Sequence, residues 1–414
     1  MKASFQKRWY SRAFSEAVSK PYVHILFGAR QTGKTALLRH QFPKAALWID
    51  LADPEERNRH VLDPGRLRRE CLALPQTDPP AVVIIDEAQT VPTAFDAVQS
   101  LYDSDKTRWR FVLCGSSARK LRQHGANLLP GRSLLHHLYP LVLTERPGPA
   151  GPGPQLLLPL SADASNPERV FSPAGIEERL AWGELPGISI APKEDRAPLL
   201  KSYATIHLQE EIRRETLIRD WAAFINFLRF AALNSGQIVN YSSIARECGL
   251  SQVTIKAHYQ LLEDMFIGFT VPAHSGSPRK TTLSTPRFFF FDLGIRNAAA
   301  GIEPSLAAVS ADPGPLFEQW VGIELWKRLQ YRGDGRLTYM RTKAGAEVDF
   351  IVTTPEETIP IEVKWTENPR PTDARHLIGF IGENEKAKRG FVVCRCARPQ
   401  LLAEGVTAIP WWML

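Results

Sequence analysis

Residues 28–35 of this 414-residue chain read Gly-Ala-Arg-Gln-Thr-Gly-Lys-Thr and fit the phosphate-binding pattern G-x-x-x-x-G-K-[ST]. The apolar run 22–27 before them predicts a buried strand, and residues 36–41 after them predict a helix. A strand, a glycine-rich turn and a helix N-terminus form an anion site, because backbone N–H groups and the helix dipole both favour phosphate. The sequence therefore predicts a nucleotide site here, with an ordinary glycine turn as the alternative.

The residues of this loop are assigned roles from that geometry. Lys34 is expected to reach the β- and γ-phosphates, and the Thr35 hydroxyl is expected to hold Mg²⁺. Arg30 lies inside the loop and is expected to touch phosphate. The predicted nucleotide-binding set is Gly28, Arg30, Gln31, Thr32, Gly33, Lys34, Thr35 and Ala36.

Two acids follow the apolar run 82–85. A P-loop enzyme needs an acid at this place to orient the Mg²⁺ shell, and we assign that role to Asp86. The neighbouring Glu87 is predicted to polarise the attacking water. A strand that simply leaves the core into solvent is the alternative, since acids are common there.

Another apolar strand, near 110–114, ends in polar residues. Ser116 or Ser117 would lie at the carboxyl edge of the sheet, where ligands bind in open parallel sheets. Such a hydroxyl is expected to sense the γ-phosphate or to position water. A simple cap on a helix over 118–124 is the alternative.

Short apolar strands alternate with helical stretches over residues 22–145, which predicts a parallel α/β sheet. Strands are expected at 22–27, 45–50, 81–85, 110–114 and 138–143. The proline- and glycine-rich residues 146–160 predict a surface loop or hinge. The predicted domains are an ATPase-like core at 1–145, an insert and helical arm at 146–220, a winged helix-turn-helix at 221–300 and a second α/β unit at 301–414.

The middle module is predicted from two short helices, 242–248 and 251–265, with a turn at Gly249. Ser251 is a candidate N-cap, and the apolar segments 266–271 and 287–292 could pair as a wing. The residues expected to face DNA are Gln252, Thr254, Lys256 and His258 on the second helix and Arg279, Lys280 and Arg287 in the wing. Because the helix offers one fixed cation, a lid or protein contact is slightly favoured over DNA reading.

A second chemical site is predicted near the C-terminal end of the sequence. Helices are expected at 316–331 and near 373–381, and strands at 337–341, 346–352, 358–365 and 390–394. Pairing of two of these strands can bring Asp349 and Glu362 together, and Glu362 and Lys364 project from one face of a strand. Two carboxylates and a lysine suit metal-dependent phosphodiester hydrolysis. A strand with charged outward residues is the alternative.

The landmarks of residues 22–145 resemble the AAA-type core of a prokaryotic ATPase family whose members carry a C-terminal domain of uncharacterised function. The matching residues in this range are the 28–35 loop, Asp86-Glu87-Ala88-Gln89 with Val91-Pro92, Gly115-Ser116-Ser117, Gly131-Arg132 and Leu138-Tyr139-Pro140-Leu141. A later landmark, Trp182-Gly183-Glu184-Leu185-Pro186, is similar to the family's Gly-Gly-x-Pro and departs from it at Trp182. The resemblance implies hydrolysis of ATP with Mg²⁺. Arg132 is the candidate to neutralise transition-state charge. Such enzymes often complete the site with a neighbour's arginine, so a homo-oligomer is expected.

The C-terminal pattern is similar to the PD-(D/E)xK nuclease fold, in which a preceding helix supplies another acid. Glu318 is assigned that role, with Glu324 as the second choice, and Val348 replaces the proline that precedes the aspartate. The resemblance implies Mg²⁺ or Mn²⁺ held by Asp349, Glu362 and Glu318. Cleavage is a separate matter, since such folds can lose catalysis and keep binding.

The bulk properties narrow the class of protein. A formal net charge of +7 is compatible with DNA without demanding it. Five scattered cysteines favour a reducing cytoplasm, and no apolar run has the roughly 18 residues of a membrane span. The hypotheses are an ATPase coupled to DNA handling, a regulatory switch whose C-terminal domain cuts nothing, and a non-enzymatic DNA-binding regulator. The loop and Asp86-Glu87 disfavour the last.

Overall fold

The computed structural model describes residues 8–116, 129–149, 151, 154–160, 171–215, 218, 220–274, 285–342 and 345–414. The chain divides into two compact units. The first unit comprises Met1–Tyr139 with Asp264–Ile267, and the second comprises Pro140–Glu263 with Gly268–Leu414.

A parallel sheet of five strands forms the centre of the first unit. The strands are β1 (Val23–Phe27), β2 (Leu47–Asp50), β3 (Ala81–Asp86), β4 (Trp109–Gly115) and β5 (Ser133–His137), in the order β2-β3-β4-β1-β5. The helices are α1 (Ser11–Val18), α2 (Lys34–Gln41), α3 (Pro54–Leu62), α4 (Arg66–Ala73) and α5 (Thr93–Ser104). Successive strand residues face opposite ways. Ile25 therefore packs in the cluster that contains Phe95 of α5, and Leu26 packs in the one that contains Leu37 of α2.

The last strand of this sheet was misplaced by the sequence pattern. β5 ends before the predicted 138–143, and the Leu138 N–H donates to Phe27 O at 2.8 Å where β1 itself ends. Beyond that point β1 offers no backbone to pair with, and Pro140 has no N–H to donate. Leu138 and Leu141 are nevertheless buried. These residues are apolar because they are buried, although the segment that carries them is irregular and not a strand.

Two histidines meet between β1 and β5 in the first unit. His24 Nδ1 lies 3.0 Å from His136 Nε2, and the Tyr10 hydroxyl lies 2.8 Å from His136 Nδ1. Burial, together with the neighbouring His24 and His137, lowers the pKa of His136 to about 4. The imidazole is therefore neutral in the folded protein at pH 7.

This histidine predicts a loss of stability in acid. The folded pKa of about 4 is below the reference value of 6.5, so the unfolded chain takes up the proton first. The stabilisation is complete above pH 6.5 and is lost as the pH falls towards 4, by about 3 kcal/mol. Thermal unfolding of His136→Gln across this range should show a weaker pH dependence than the wild type. His40→Gln, at an exposed position, is the control, and equal pH slopes in wild type and His136→Gln would contradict the prediction.

The second unit begins with helices and a strand pair. The helices are α6 (Ile176–Trp182), α7 (Pro186–Ile190), α8 (Lys193–Ser202), α9 (Gln209–Glu215), α10 (Trp221–Leu233), α11 (Tyr241–Cys248) and α12 (Gln252–Asp264). A π-helical turn, Tyr203–Leu208, joins α8 to α9. The strands β6 (Gly268–Val271) and β7 (Arg287–Phe290) pair antiparallel, as the apolar segments predicted.

The two helices predicted as a helix-turn-helix form at the expected places. Gly249 ends α11 with a φ of 66°, and the Ser251 hydroxyl accepts the Thr254 N–H at 3.0 Å, as a cap does. Gln252 and Lys256 are exposed.

Two residues that were expected to face DNA are placed otherwise. His258 was expected on the exposed face, and instead its ring packs on Phe224 and Phe227, because it lies on the side of α12 that faces α10. Arg287, expected on phosphate, is buried. Arg279 and Lys280 lie outside the described residues.

A mixed sheet of six strands completes the second unit. The remaining helices are α13 (Leu293–Ala299), α14 (Leu306–Ala311), α15 (Pro313–Arg332) and α16 (Arg375–Glu383). The strands β8 (Arg336–Arg341), β9 (Glu347–Thr353), β10 (Thr358–Val363), β11 (Gly390–Cys394), β12 (Gln400–Ala403) and β13 (Val406–Pro410) take the order β12-β13-β11-β10-β9-β8. Helix α15 packs on one face of this sheet, where Gly322 lies against Phe350. Helix α16 packs on the opposite face, in the cluster that contains Ile351. None of the helices in the described ranges has the length and apolarity to cross a bilayer.

Candidate active sites

The loop after β1 requires glycine at its two ends. A Cβ on Gly28 would lie 2.3 Å from Leu138 O, so the backbone leaves no room for a side chain. Gly33 has a φ of 94° immediately before α2, a region that glycine occupies without strain. Between them the Thr32 hydroxyl donates to Ala29 O at 2.9 Å. The loop is thus closed by its own bonds at the N-terminus of α2, as an anion site requires.

The other predicted loop residues differ in exposure. Gln31 and Ala36 are exposed and Arg30 is half-buried, whereas Lys34 is buried. The Lys34 ammonium donates to Gly28 O and Ala29 O at 2.7 and 2.9 Å. To reach a phosphate, the lysine has to exchange these two bonds.

Thr35 and Asp86 are in direct contact. The Thr35 hydroxyl donates to Asp86 Oδ2 at 2.7 Å, and Asp86 is buried at the end of β3. Burial raises the pKa of Asp86, and the bond from Thr35 acts against that rise. A hydroxyl and a carboxylate are the hard oxygen ligands that Mg²⁺ takes, so these two residues fit the predicted metal.

Glu87 and Ser116 come together at the tips of β3 and β4. The Ser116 hydroxyl lies 3.4 Å from Glu87 Oε2, and the Glu87 N–H donates to Asp86 Oδ1 at 3.0 Å. Gln89 lies between them, since its amide donates to both side chains. The role of Gln89 was not predicted, although a polar residue two positions after Glu87 could have indicated a contact with that carboxylate. Ser117 lies outside the described residues.

The structure does not bring Arg132 to this site. Arg132 O accepts the Val23 N–H at the start of β1, whereas the phosphate-binding loop follows Phe27 at the other end. Roughly 13 Å of strand separates the two ends. The Arg132 guanidinium pairs with Asp103 at 2.6 Å. Within one copy of the chain, it therefore lies at the opposite edge of the sheet.

The C-terminal carboxylates lie on paired strands. β10 and β9 are antiparallel with Ile361 opposite Phe350, so one further step sets Glu362 opposite Asp349. Asp349 Oδ2 accepts the Val363 N–H at 2.8 Å, and Glu362 Oε1 accepts a hydrogen bond from Lys364 at 2.6 Å. Glu362 Oε2 is buried and has no hydrogen-bond partner in the described part of the chain.

The electrostatics of this cluster favour a bound cation. Burial raises the pKa of Asp349, and the negative charges of Glu318 and Glu362 raise it further. Burial also raises the pKa of Glu362, against the effect of Lys364. Carboxylates destabilised in this way gain most from a positive charge. Together with the free oxygen of Glu362, this chemistry fits a divalent metal.

Glu318 is engaged by an internal arginine. The Arg287 guanidinium hydrogen-bonds to Glu318 and donates to Asp349 O at 3.2 Å.

A different cluster lies in the first unit. Among the described residues, Glu56, His60 and Glu70 are the one group of three whose possible metal-ligating atoms all lie within 4.8 Å of one another. Those two glutamates are paired with Arg59 and Arg66.

Glu324, the second choice for the acid on the helix, lies outside the cluster of Asp349 and Glu362. It is buried and forms ion pairs with Lys327 at 3.0 Å and Arg328 at 2.9 Å, and it accepts the Leu143 N–H. Although burial acts to raise it, Lys327 and Arg328 lower the pKa of Glu324 to about 2. This glutamate holds neighbouring segments together and does not belong to the cluster.

The first unit has the sheet, loop and acids of an AAA-type P-loop ATPase domain. Residues 20–146 match the family model described as an AAA domain. Residues 174–306 and 313–414 match two models, each described as a domain of unknown function (DUF8612 and DUF4143). Neither of these two descriptions names an activity.

Two mycobacterial relatives cover most of the chain. An uncharacterized protein of Mycobacterium bovis and one of Mycobacterium tuberculosis are each 23% identical to it over 372 residues, which is 88% of this chain and 75% of theirs.

Two solved structures show a weaker likeness. One is a signal transduction ATPase with numerous domains and a tetratricopeptide repeat sensor from Pyrococcus horikoshii, at 14% identity and a TM-score of 0.21, covering 80% of this chain and 52% of that one. The other is a Vibrio cholerae protein, at 13% identity and a TM-score of 0.18, covering 94% of both chains. This chain spans about half the length of the first. At such scores neither likeness carries an argument.

Proposed function

We propose that this protein is a Mg²⁺-dependent ATPase that couples ATP hydrolysis to the handling of DNA through a nuclease-like site in its second unit. The observation that supports the second site is the pair of opposed, buried carboxylates, Asp349 and Glu362, with Lys364 bonded to one of them. The pair α11–α12, with Gln252 and Lys256 exposed, offers a surface for duplex DNA.

The residues of the first unit divide the work of ATP hydrolysis. Lys34 exchanges its two carbonyl bonds for the β- and γ-phosphates, and Thr35 and Asp86 hold Mg²⁺, which neutralises phosphate charge when bound. Glu87 accepts a proton from the attacking water, and Ser116 contacts the γ-phosphate. A neighbour's arginine, with Arg132 as the candidate, stays a prediction that depends on an oligomer.

In the second unit, Asp349 and Glu362 would hold Mg²⁺ or Mn²⁺, which polarises the scissile phosphate when bound. Lys364 donates a hydrogen bond to Glu362 Oε1 and would orient the attacking water. Glu318 is bonded to Arg287 through Oε1 and would join the ligands either through its second oxygen or by exchanging that bond.

A second function is favoured by that same arginine. Arg287 is buried and its guanidinium already offsets the charge of Glu318. An internal arginine that offsets one of the three carboxylates reduces the negative charge that a metal would have to balance. This suits a regulatory ATPase whose C-terminal domain binds a partner or nucleic acid without cutting it.

Cleavage separates the two functions. The full-length protein with about 5 mM Mg²⁺ or Mn²⁺ is expected to nick or cut DNA, and Asp349→Asn is expected to lower the rate by about 10²-fold or more, since it removes a charged ligand. Plasmid and single-stranded DNA are incubated with ATP, with ADP and without nucleotide, and the products are separated on gels. Asp334→Asn, in an exposed ion pair with Arg332 in the same unit, is the control. If wild type and Asp349→Asn are equally inert on every substrate with both metals, the nuclease function fails and the regulatory one stands.

A further inference from the structure

We infer that Gln89 is a positioning residue of the ATPase site, which fixes the carboxylate of Glu87 and connects it to Ser116. The inference rests on the proposed roles of Glu87 as the base and Ser116 as the γ-phosphate contact. Nothing in the loop motif or in the acid pair assigns a role to this side chain.

Gln89 is joined to both residues by one amide group. Its side chain is buried, with 4% of its surface exposed. The Nε2 group donates to Glu87 Oε2 and, at 3.2 Å, to Ser116 Oγ. The Ser116 hydroxyl in turn lies 3.4 Å from the same Glu87 oxygen. Three polar side chains thus form a closed cycle at the tips of β3 and β4.

The surrounding backbone is shaped to hold this amide. A Cβ on Gly115 would lie 2.6 Å from Gln89 Oε1, so the absence of a side chain there makes room for the glutamine. Glu87 has a φ of 54°, in the left-handed region that residues with a side chain rarely adopt. The short helical turn Ala88–Thr90 follows and carries Gln89 back towards β4. The strained residue and the small residue both serve this one contact.

The contact has two consequences for hydrolysis. Donation from Nε2 fixes the orientation of the Glu87 carboxylate, the group that accepts a proton from water. A γ-phosphate that takes up the Ser116 hydroxyl removes the weak bond from Ser116 to Glu87, and Gln89 is then the one side chain in the described ranges that still bonds to the carboxylate. Occupancy of the γ-phosphate position is therefore transmitted to the base through one side chain.

Steady-state kinetics of Gln89→Ala test this inference. We expect kcat for ATP to fall by about 10- to 100-fold, because the base is still present but no longer oriented. KM and the affinity for a fluorescent ATP analogue are expected to stay within about twofold, because Gln89 hydrogen-bonds to Glu87 and Ser116 and not to Lys34, the residue assigned to the β- and γ-phosphates. Gln99→Ala, at a half-buried glutamine of α5, is the matched control.

Two further variants separate positioning from a structural role. Gln89→Glu keeps the shape of the side chain but replaces the donating amide by a second acceptor beside Glu87, so kcat should fall about as far as in Gln89→Ala. Gly115→Ala should reproduce part of the Gln89→Ala loss, because its methyl group displaces the amide. Unfolding midpoints are measured for every variant. If Gln89→Ala turns over like the wild type, or if kcat and nucleotide affinity fall together in a stable variant, the inference is wrong.

A further variant distinguishes this failure from failure of the proposed ATPase roles. Glu87→Gln should lower turnover by about 10²- to 10⁴-fold, and adding Gln89→Ala to it should cause no further loss. If Glu87→Gln keeps full activity, the assignment of the base fails. If Glu87→Gln is inert and Gln89→Ala is fully active, only the inference about Gln89 fails.

Discussion

Glu87→Gln is expected to bind ATP with wild-type affinity and to hydrolyse it about 10²- to 10⁴-fold more slowly, the range of a general base. The amide keeps the shape of the side chain but cannot accept a proton from water at neutral pH. Phosphate release is measured under saturating ATP, and binding is measured separately with a fluorescent analogue.

Lys34→Ala should differ from Glu87→Gln, because it should lower the affinity for ATP as well as turnover. It removes the ammonium that is buried under the loop, so affinity for ATP falls together with turnover. Lys44→Ala, at an exposed position after α2, is the matched control and should leave both quantities unchanged. Equal hydrolysis by wild type and Glu87→Gln would remove Glu87 from the mechanism, and unchanged affinity in Lys34→Ala would remove the loop from the nucleotide site.

Glu324→Gln is expected to lower the free energy of unfolding by about 3–5 kcal/mol. The variant leaves Lys327 and Arg328 buried, at 1% and 0% exposure, without their shared negative partner. Denaturant unfolding of the full chain, followed by circular dichroism, gives the shift in midpoint. Asp334→Asn breaks an exposed ion pair with Arg332 and is expected to cost about 0–1 kcal/mol.

The pKa of Glu324 also predicts that the free energy of unfolding depends on pH. The folded pKa of about 2 is below the reference value of 4.5, so the stabilisation is present above pH 4.5 and is lost as the pH falls towards 2. In Glu324→Gln this acid loss should be smaller. If the unfolding midpoint of Glu324→Gln matches that of Asp334→Asn, or if its loss of stability in acid equals that of the wild type, the ion pairs of Glu324 with Lys327 and Arg328 contribute little to stability.

Part of the fold could be predicted because its signals are local. β1 to β4 lie within a few residues of the apolar runs that predicted them, and α11 ends at the predicted glycine. β12 and β13 were not predicted: they are short, and pairing of β13 with β11 holds them in the sheet more than local propensity does. The predicted fifth strand failed because burial was mistaken for strand pairing.

Part of the candidate sites could be predicted in the same way. The hairpin that sets Asp349 opposite Glu362 follows from two neighbouring strands in sequence. The partners of Glu318 and Arg287 could not be predicted, because their contact depends on how a helix and a distant strand pack together. Burial of a charged side chain is a property of that packing and leaves no local mark in the sequence.

The sequence by itself determined that a phosphate-binding loop follows a strand, that two acids end another strand, and that two carboxylates and a lysine share a hairpin. Each of these features lies in one short stretch, where residue spacing dictates geometry. Only the tertiary structure decided which strand tips meet: β4 between β1 and β3 brings Ser116 to Glu87 and Gln89, and the parallel pairing of β5 takes Arg132 to the far edge. Strand order depends on contacts between distant residues, and no local pattern specifies it.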